Sequence, residues 1–175
     1  FIAGASLLTY LIIYVPRFDY IQGRIFSFFN RETGTHNFQS DKAIESITSG
    51  GFFGKGIGEG VLKNRVPEAH TDYIISVISE EFGVVAIMLI LLLFLILIYM
   101  IFKKISFETN DKAKLILIGS ISLILMQATI HVGVNIRLFP TTGMTLPFLS
   151  YGGSSIISTS ILAGIILNLT KRKIT

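Results

Sequence analysis

From Val84 to Phe102 nineteen consecutive residues carry no ionisable side chain except Tyr99. As an α-helix rising about 1.5 Å per residue, this run is long enough to cross a bilayer core of roughly 30 Å, which argues against a soluble domain. Composition supports the same reading. The chain is 51% hydrophobic and only 15% charged, with apolar runs in some places and nearly all the charge in others. The net charge of +4 is modest. Several basic residues flank membrane segments, where they act as orientation signals, and they form no nucleic-acid stripe. The absence of cysteine excludes disulfides and thiolate metal sites.

Three further apolar runs accompany this one, so the sequence predicts an all-α integral membrane protein. Residues 1–15 read as a truncated transmembrane helix, because the chain starts inside an apolar run without methionine or a charged flank; the chain is expected to be the C-terminal part of a longer protein. Residues 16–72 form a large polar loop. From Arg17 to Asp72 it balances seven Lys/Arg against seven Asp/Glu. Within it, Asp41 to Ser49 suits a short helix capped by Asp41, with Ile44 and Ile47 on one side. Transmembrane helices are expected at 73–102, 115–134 and 151–169. Residues 103–114 and 170–175 are short and cationic, which places them in the cytoplasm and puts 16–72 and 135–150 together outside. The third span collects Ser120, Gln127, His131 and Asn135 on one face. The fourth carries a Ser160-xxx-Gly164 pattern suited to close helix contact.

Candidate chemistry concentrates at the entrance to the second span. Pro67 suits a first helical position, and Glu68 and Asp72 follow where carboxylates face the positive end of the helix dipole. Spacing by four continues that face through Ser76 and Glu80. Carboxylates entering a membrane are expensive unless they face protein or a wet cavity, which makes them functional candidates. Asp72, beside Glu68, His70 and Thr71, is the first of these. Ionised, it can take a proton from an attacking hydroxyl or hold a divalent metal; the plain alternative is a helix-capping acid. Glu80 and Glu81 either line the same cavity or pair with a cation such as Arg137. His131 has no second ligand at metal spacing on its helix, so an interhelical hydrogen bond fits it better.

Gly50 to Gly60 holds six glycines and must be loop. A dinucleotide fingerprint would need glycine where Glu59 stands, and no Walker-type G-x-x-x-x-G-K-S/T is present. Glycines still let backbone N–H groups approach a phosphate, with Lys55, Lys63, Arg65, Arg24 or Arg137 adding charge for a pyrophosphate. The alternative is a flexible solvated loop.

Taken together, R-V-P-E-A-H-T-D-Y-I, the S-E-E-F-G that follows it, the glycine run S-G-G-F-F-G-K-G-I-G-E-G and the late P-T-T-G-M-T-L-P-F-L-S-Y-G-G-S-S resemble the SEDS family of FtsW, RodA and SpoVE. The match runs from about Arg24 to Asn168, with three long motifs in order. The P-E-A-H-T-D and M-T-L-P-F segments are more like the FtsW branch, whereas Thr142 is more like RodA. The resemblance implies a ten-helix membrane fold, of which this chain would supply the last four helices and a large extracellular loop. It also implies a peptidoglycan glycosyltransferase that polymerises lipid II, the undecaprenyl-pyrophosphate-linked disaccharide peptide, alongside a class B penicillin-binding protein. The Asp of the H-T-D motif, here Asp72, is implied as the catalytic residue.

On this reading Asp72 deprotonates or orients the acceptor sugar 4-hydroxyl, with a divalent cation (Mg or Mn) as a possible aid. Glu68, His70, Lys63, Arg65, Arg137 and Glu80 are the expected substrate contacts. Undecaprenyl pyrophosphate leaves against cations such as Arg65, Lys63 or Arg137. The expected setting is the plasma (inner) membrane at the division septum, with divisome proteins as partners and no nucleic acid. Three alternatives stay open: a RodA-type elongation polymerase, a lipid II flippase whose path is lined by Ser76, Glu80, Gln127 and His131, and a scaffold that only recruits the penicillin-binding protein.

Overall fold

A computed structural model describes residues 23–24, 28–29, 35–66 and 68–171, and every regular element among them is helical. The expected first span at 1–15, the expected helix start at Pro67 and the tail beyond Lys171 lie outside the described residues. Five helices follow in order: α1 Thr35–Gly50, α2 Leu62–Arg65, α3 Ile74–Phe107, α4 Asp111–Asn135 and α5 Gly153–Thr170. Helices α3, α4 and α5 are long and apolar enough to cross a membrane, which makes this a multi-pass membrane protein.

The expected connection at 103–114 is almost entirely helical. Helix α3 runs on to Phe107 and α4 begins at Asp111, leaving residues 108–110 as the link. The lysines that mark this region are good helix formers, so they place the membrane boundary without ending the helix. The stop comes instead from Asn110, whose side chain accepts the Lys112 N–H at 3.0 Å and caps α4.

Two buried clusters organise the molecule. Ile101, Leu117, Ile121, Ile124 and Ile166 join α3, α4 and α5 along the halves nearer the 108–110 link. Ala43, Leu62, Val66, Ala69, Tyr73, Val77 and Val134 join α1 and α2 to the start of α3 and the end of α4. Between them, Ile75, Ala128 and Leu146 bring the segment before α5 against α3 and α4. The Ser160-xxx-Gly164 face makes no close helix contact at its glycine: both positions are exposed, and a Cβ on Gly164 would meet open space. Helix α5 instead turns Thr159 and Ile166 inward.

Helix α1 begins at Thr35, so Asp41 lies inside it and not at its cap. Its carboxylate is ion-paired with Arg137, just past the end of α4. Arg137 has φ 59°, the left-handed conformation that glycine usually supplies after a helix. Its N–H bonds the Val134 carbonyl at 3.0 Å, and the Leu138 N–H bonds that of Gly133 at 2.7 Å, which completes a Schellman ending.

The glycine run is not a loose loop: it docks onto α3. A straight helix of 34 residues would measure about 51 Å, well beyond a bilayer core of roughly 30 Å. Helix α3 is broken at Gly83, with φ 79° and ψ −178°. The break frees backbone groups, and the glycine loop takes them up. The Glu80 and Glu81 carbonyls accept the Lys55 and Gly56 N–H groups at 2.8 and 3.0 Å. The Val84 and Val85 N–H groups donate to the Gly51 and Phe52 carbonyls at 2.9 and 3.4 Å. Irregular backbone near a membrane persists where protein satisfies it in this way. Close approach requires the missing side chains: a Cβ on Gly54 would lie 2.2 Å from the Glu81 carbonyl oxygen, and one on Gly83 2.1 Å from that of Phe52.

Candidate functional site

Asp72 sits at the end of a single helical turn that precedes α3. Its N–H donates to the Glu68 carbonyl at 3.0 Å, and Tyr73, the next residue, is almost fully buried in the cluster that joins α1 and α2 to α3 and α4. The Asp72 carboxyl is half-buried. Burial first, and then the negative charge of Glu68, push it above the ordinary carboxylate range. A hydrogen bond from Thr71 and the charge of Arg24 act in the opposite direction.

The late loop closes over this acid. A Cβ on Gly143 would stand 3.6 Å from Asp72 Oδ2, so loop backbone adjoins the carboxylate. Arg24 ties the same loop down by donating from Nη1 to the Thr141 carbonyl at 2.7 Å. Further along, the loop runs against the polar face of α4. The Met144 carbonyl lies 2.8 Å from His131 Nδ1. Gln127 Nε2 donates to the Thr145 carbonyl at 2.9 Å and to Ser155 Oγ at 3.1 Å. The expected polar face is therefore real, and it holds the folded-back loop. The segment expected to lie outside between 135 and 150 reaches down α4 to the level of Gln127.

Three consecutive carbonyls of the H-T-D motif are each held from a different group. The Tyr151 N–H donates to His70 at 3.1 Å, Ser150 Oγ to Thr71 at 2.8 Å, and Asn135 Nδ2 to Asp72 at 2.9 Å. The H-T-D motif and the late motif thus meet around one carboxylate. Glu68 and His70 are exposed on the same turn, and the Glu68 carboxylate accepts from Thr71 Oγ1 at 2.9 Å.

The other expected contacts lie elsewhere. Glu80 is 2% exposed and is bound to Lys55 Nζ at 2.8 Å and to the Leu62 N–H at 2.9 Å. It locks the glycine loop and α2 onto α3 and does not extend the Asp72 face. The face breaks because Ser76 is also consumed inside the protein, by Asn135 Oδ1 at 2.7 Å. Arg65 lines a polar cavity of about 120 Å³ with Lys42, Lys55, Glu45 and Glu80. Arg137 is held by Asp41. The Lys63 side chain lies outside the described residues. Among the described residues, Arg24 is the cation whose charge bears on Asp72. Among the described residues no three His, Asp or Glu side chains converge as a metal site. Helical spacing placed Asn135 on the polar face of α4 but not against Asp72, and it did not single out Ser150. The available signal was a buried-type amide at the end of a membrane helix and a serine beside the S-Y-G-G-S-S turn.

Comparison with known proteins gives the same picture. The model of the FtsW/RodA/SpoVE family, described as cell cycle proteins, matches residues 1–174. The chain is similar to a probable peptidoglycan glycosyltransferase FtsW of Enterococcus hirae, 37% identical over 99% of this chain and 45% of the relative. A protein of the same name from Caulobacter vibrioides is 38% identical over 89% of this chain and 40% of the relative. The chain thus spans less than half the length of these curated relatives. It also resembles a chain of a solved structure that describes the coordination of polymerisation and crosslinking by a peptidoglycan synthase complex. The TM-score is 0.71 at 27% identity, over 97% of this chain and 46% of that one. On its motifs, its helices and these matches, the chain belongs to the FtsW/RodA/SpoVE family of cell cycle proteins.

Proposed function

We propose that this chain is the catalytic C-terminal portion of a peptidoglycan glycosyltransferase that polymerises lipid II for septal wall synthesis. The observation that carries this reading is the Asp72 carboxyl, shifted upward and covered by the late loop at the outer end of the membrane helices. A base poised above the usual carboxylate range is better suited to remove a proton from a sugar hydroxyl than an ordinary exposed aspartate. Asp72 accepts the proton of the acceptor 4-hydroxyl. The freed oxygen bonds to the anomeric carbon of the lipid-linked glycan, and the bond to undecaprenyl pyrophosphate breaks. Arg24 is the cation best placed to face the departing negative charge.

A divalent cation fits this site in one form. Glu68 and Asp72 offer one or two carboxylates, and Mg²⁺ commonly takes its remaining ligands from water and substrate phosphates. When bound, such an ion would neutralise pyrophosphate charge. The chain's orientation, with Asp72 outside and the 108–110 link in the cytoplasm, follows from its lysines. A crosslinking partner of the class B penicillin-binding type, other divisome proteins and the inner membrane at the septum complete the proposed setting.

The polar residues that a flippase path would require are occupied. Ser76 and Glu80 are bound within the protein, and Gln127 and His131 hold the late loop. The full-length parent, purified with its partner and given labelled lipid II, is expected to yield glycan ladders. Movement of lipid II across vesicle membranes without any polymer would instead favour transport.

A further inference from the structure

We propose that Asn135, with Ser150, is a positioning residue that fixes Asp72 through its backbone and so ties the reactive carboxylate to the ends of α4 and α5. This rests on the reading of Asp72 as the general base. Asn135 is fully buried, and every hydrogen-bonding position on its amide is used. Its Nδ2 donates to the Asp72 and His131 carbonyls, both at 2.9 Å. Its Oδ1 accepts from the Ser76 N–H at 3.2 Å and from Ser76 Oγ at 2.7 Å. One side chain thereby closes the end of α4, satisfies a free N–H in the first turn of α3 and anchors the Asp72 carbonyl just before that helix.

Ser150 makes a parallel contact one residue earlier. It donates to the Thr71 carbonyl at 2.8 Å and accepts the Leu146 N–H at 2.8 Å. With the Tyr151 N–H on His70, no carbonyl in the H-T-D turn is left to swing. A carboxylate whose carbon is two bonds from this backbone inherits the restraint. Its remaining freedom is side-chain rotation beneath Gly143. A misplacement of about 1 Å at a reacting group can cost on the order of a hundredfold in rate, so geometry of this kind reads out in turnover.

The test uses the full-length protein in complex with its partner, assayed as polymerisation of labelled lipid II against substrate concentration and pH. Asn135→Ala and Ser150→Ala are compared with Leu117→Ala, a cavity variant in the distant α3–α4–α5 core, as a control for lost stability. The expected result is a fall in kcat of roughly ten- to a hundredfold for the first two, with KM within about twofold. Their acid limb is expected to move to lower pH, because a loosened carboxylate is better hydrated. Leu117→Ala is expected to keep both kcat per folded molecule and its acid limb. Should Asn135→Ala fail to fold, Ser150→Ala, which loses one hydroxyl, carries the test. Wild-type kcat and acid limb in folded Ser150→Ala overturn the inference, as does a loss that Leu117→Ala matches. An inactive wild type would instead strike the glycosyltransferase reading.

Discussion

At the scale of single residues, Asp72 and Glu68 form a unit. With Asp72 as the proposed general base, which must be ionised, activity is expected to be lost as pH falls through the Asp72 pKa. Burial and Glu68 raise that pKa above its ordinary 3.8, so the acid limb of the pH–rate profile is expected above that value. Glu68→Gln removes the like charge and keeps the shape, so the limb is expected to move down in pH. A limb that does not move would separate Glu68 from the base. The same sign bears on stability. A raised carboxyl pKa means that ionisation costs the folded state, and the cost grows as pH rises through the window above 3.8. Asp72→Asn is therefore expected to melt no lower than wild type at neutral pH. Arg137 gives a second test. Its left-handed backbone costs about 1–2 kcal/mol for a non-glycine residue, offset in part by an Asp41 pair whose partner is exposed. Arg137→Gly is expected to change the melting temperature little or raise it, and the chain stays folded.

At the scale of elements, the glycine loop and the break in α3 are one device. Gly54→Ala places a methyl carbon 2.2 Å from the Glu81 carbonyl oxygen, at φ 77°, so the loop must leave its dock. Gly51→Ala shares the left-handed backbone but meets nothing within 4 Å. Gly51→Ala is expected to cost about 1–2 kcal/mol from the backbone alone. Gly54→Ala should cost clearly more and open the loop to protease, as measured by thermal melts and limited digestion. Equal effects would show that docking contributes nothing. This is also where sequence reasoning reached its limit. Glycine content announced a loop, but not that the loop fills a gap in a helix 25 residues on, because Gly83 lies inside a run whose apolar composition reads as unbroken helix. The carboxylate face failed for a similar reason. Spacing by four puts Glu68, Asp72, Ser76 and Glu80 in line only on one straight helix. The structured turn before Ile74 and the partners Lys55 and Asn135 divide them into separate jobs. Asp72 stood out in the sequence as an acid at a membrane edge, which has few cheap explanations, and its role belongs to the proposed function. The polar face of α4 was legible too, though not that a returning loop would occupy it.

At the scale of the whole molecule, two distant motifs meet on one carboxylate, with Arg24 pinning the rim. The membrane helices α3, α4 and α5 are the frame that brings them together. The proposed lipid-linked substrate suits this placement, since its tail can stay in the bilayer while its sugars reach the helix ends beside Asp72. The most direct measurement is the polymerisation rate of labelled lipid II by the full-length parent with its partner, comparing wild type with Asp72→Asn after both are shown to be folded and partner-bound. The expected result is glycan ladders from wild type and a rate at least a hundredfold lower from the variant, the lower end of what a positioned general base supplies. Ladders of equal length and rate from folded Asp72→Asn would contradict the assignment of Asp72 as the base.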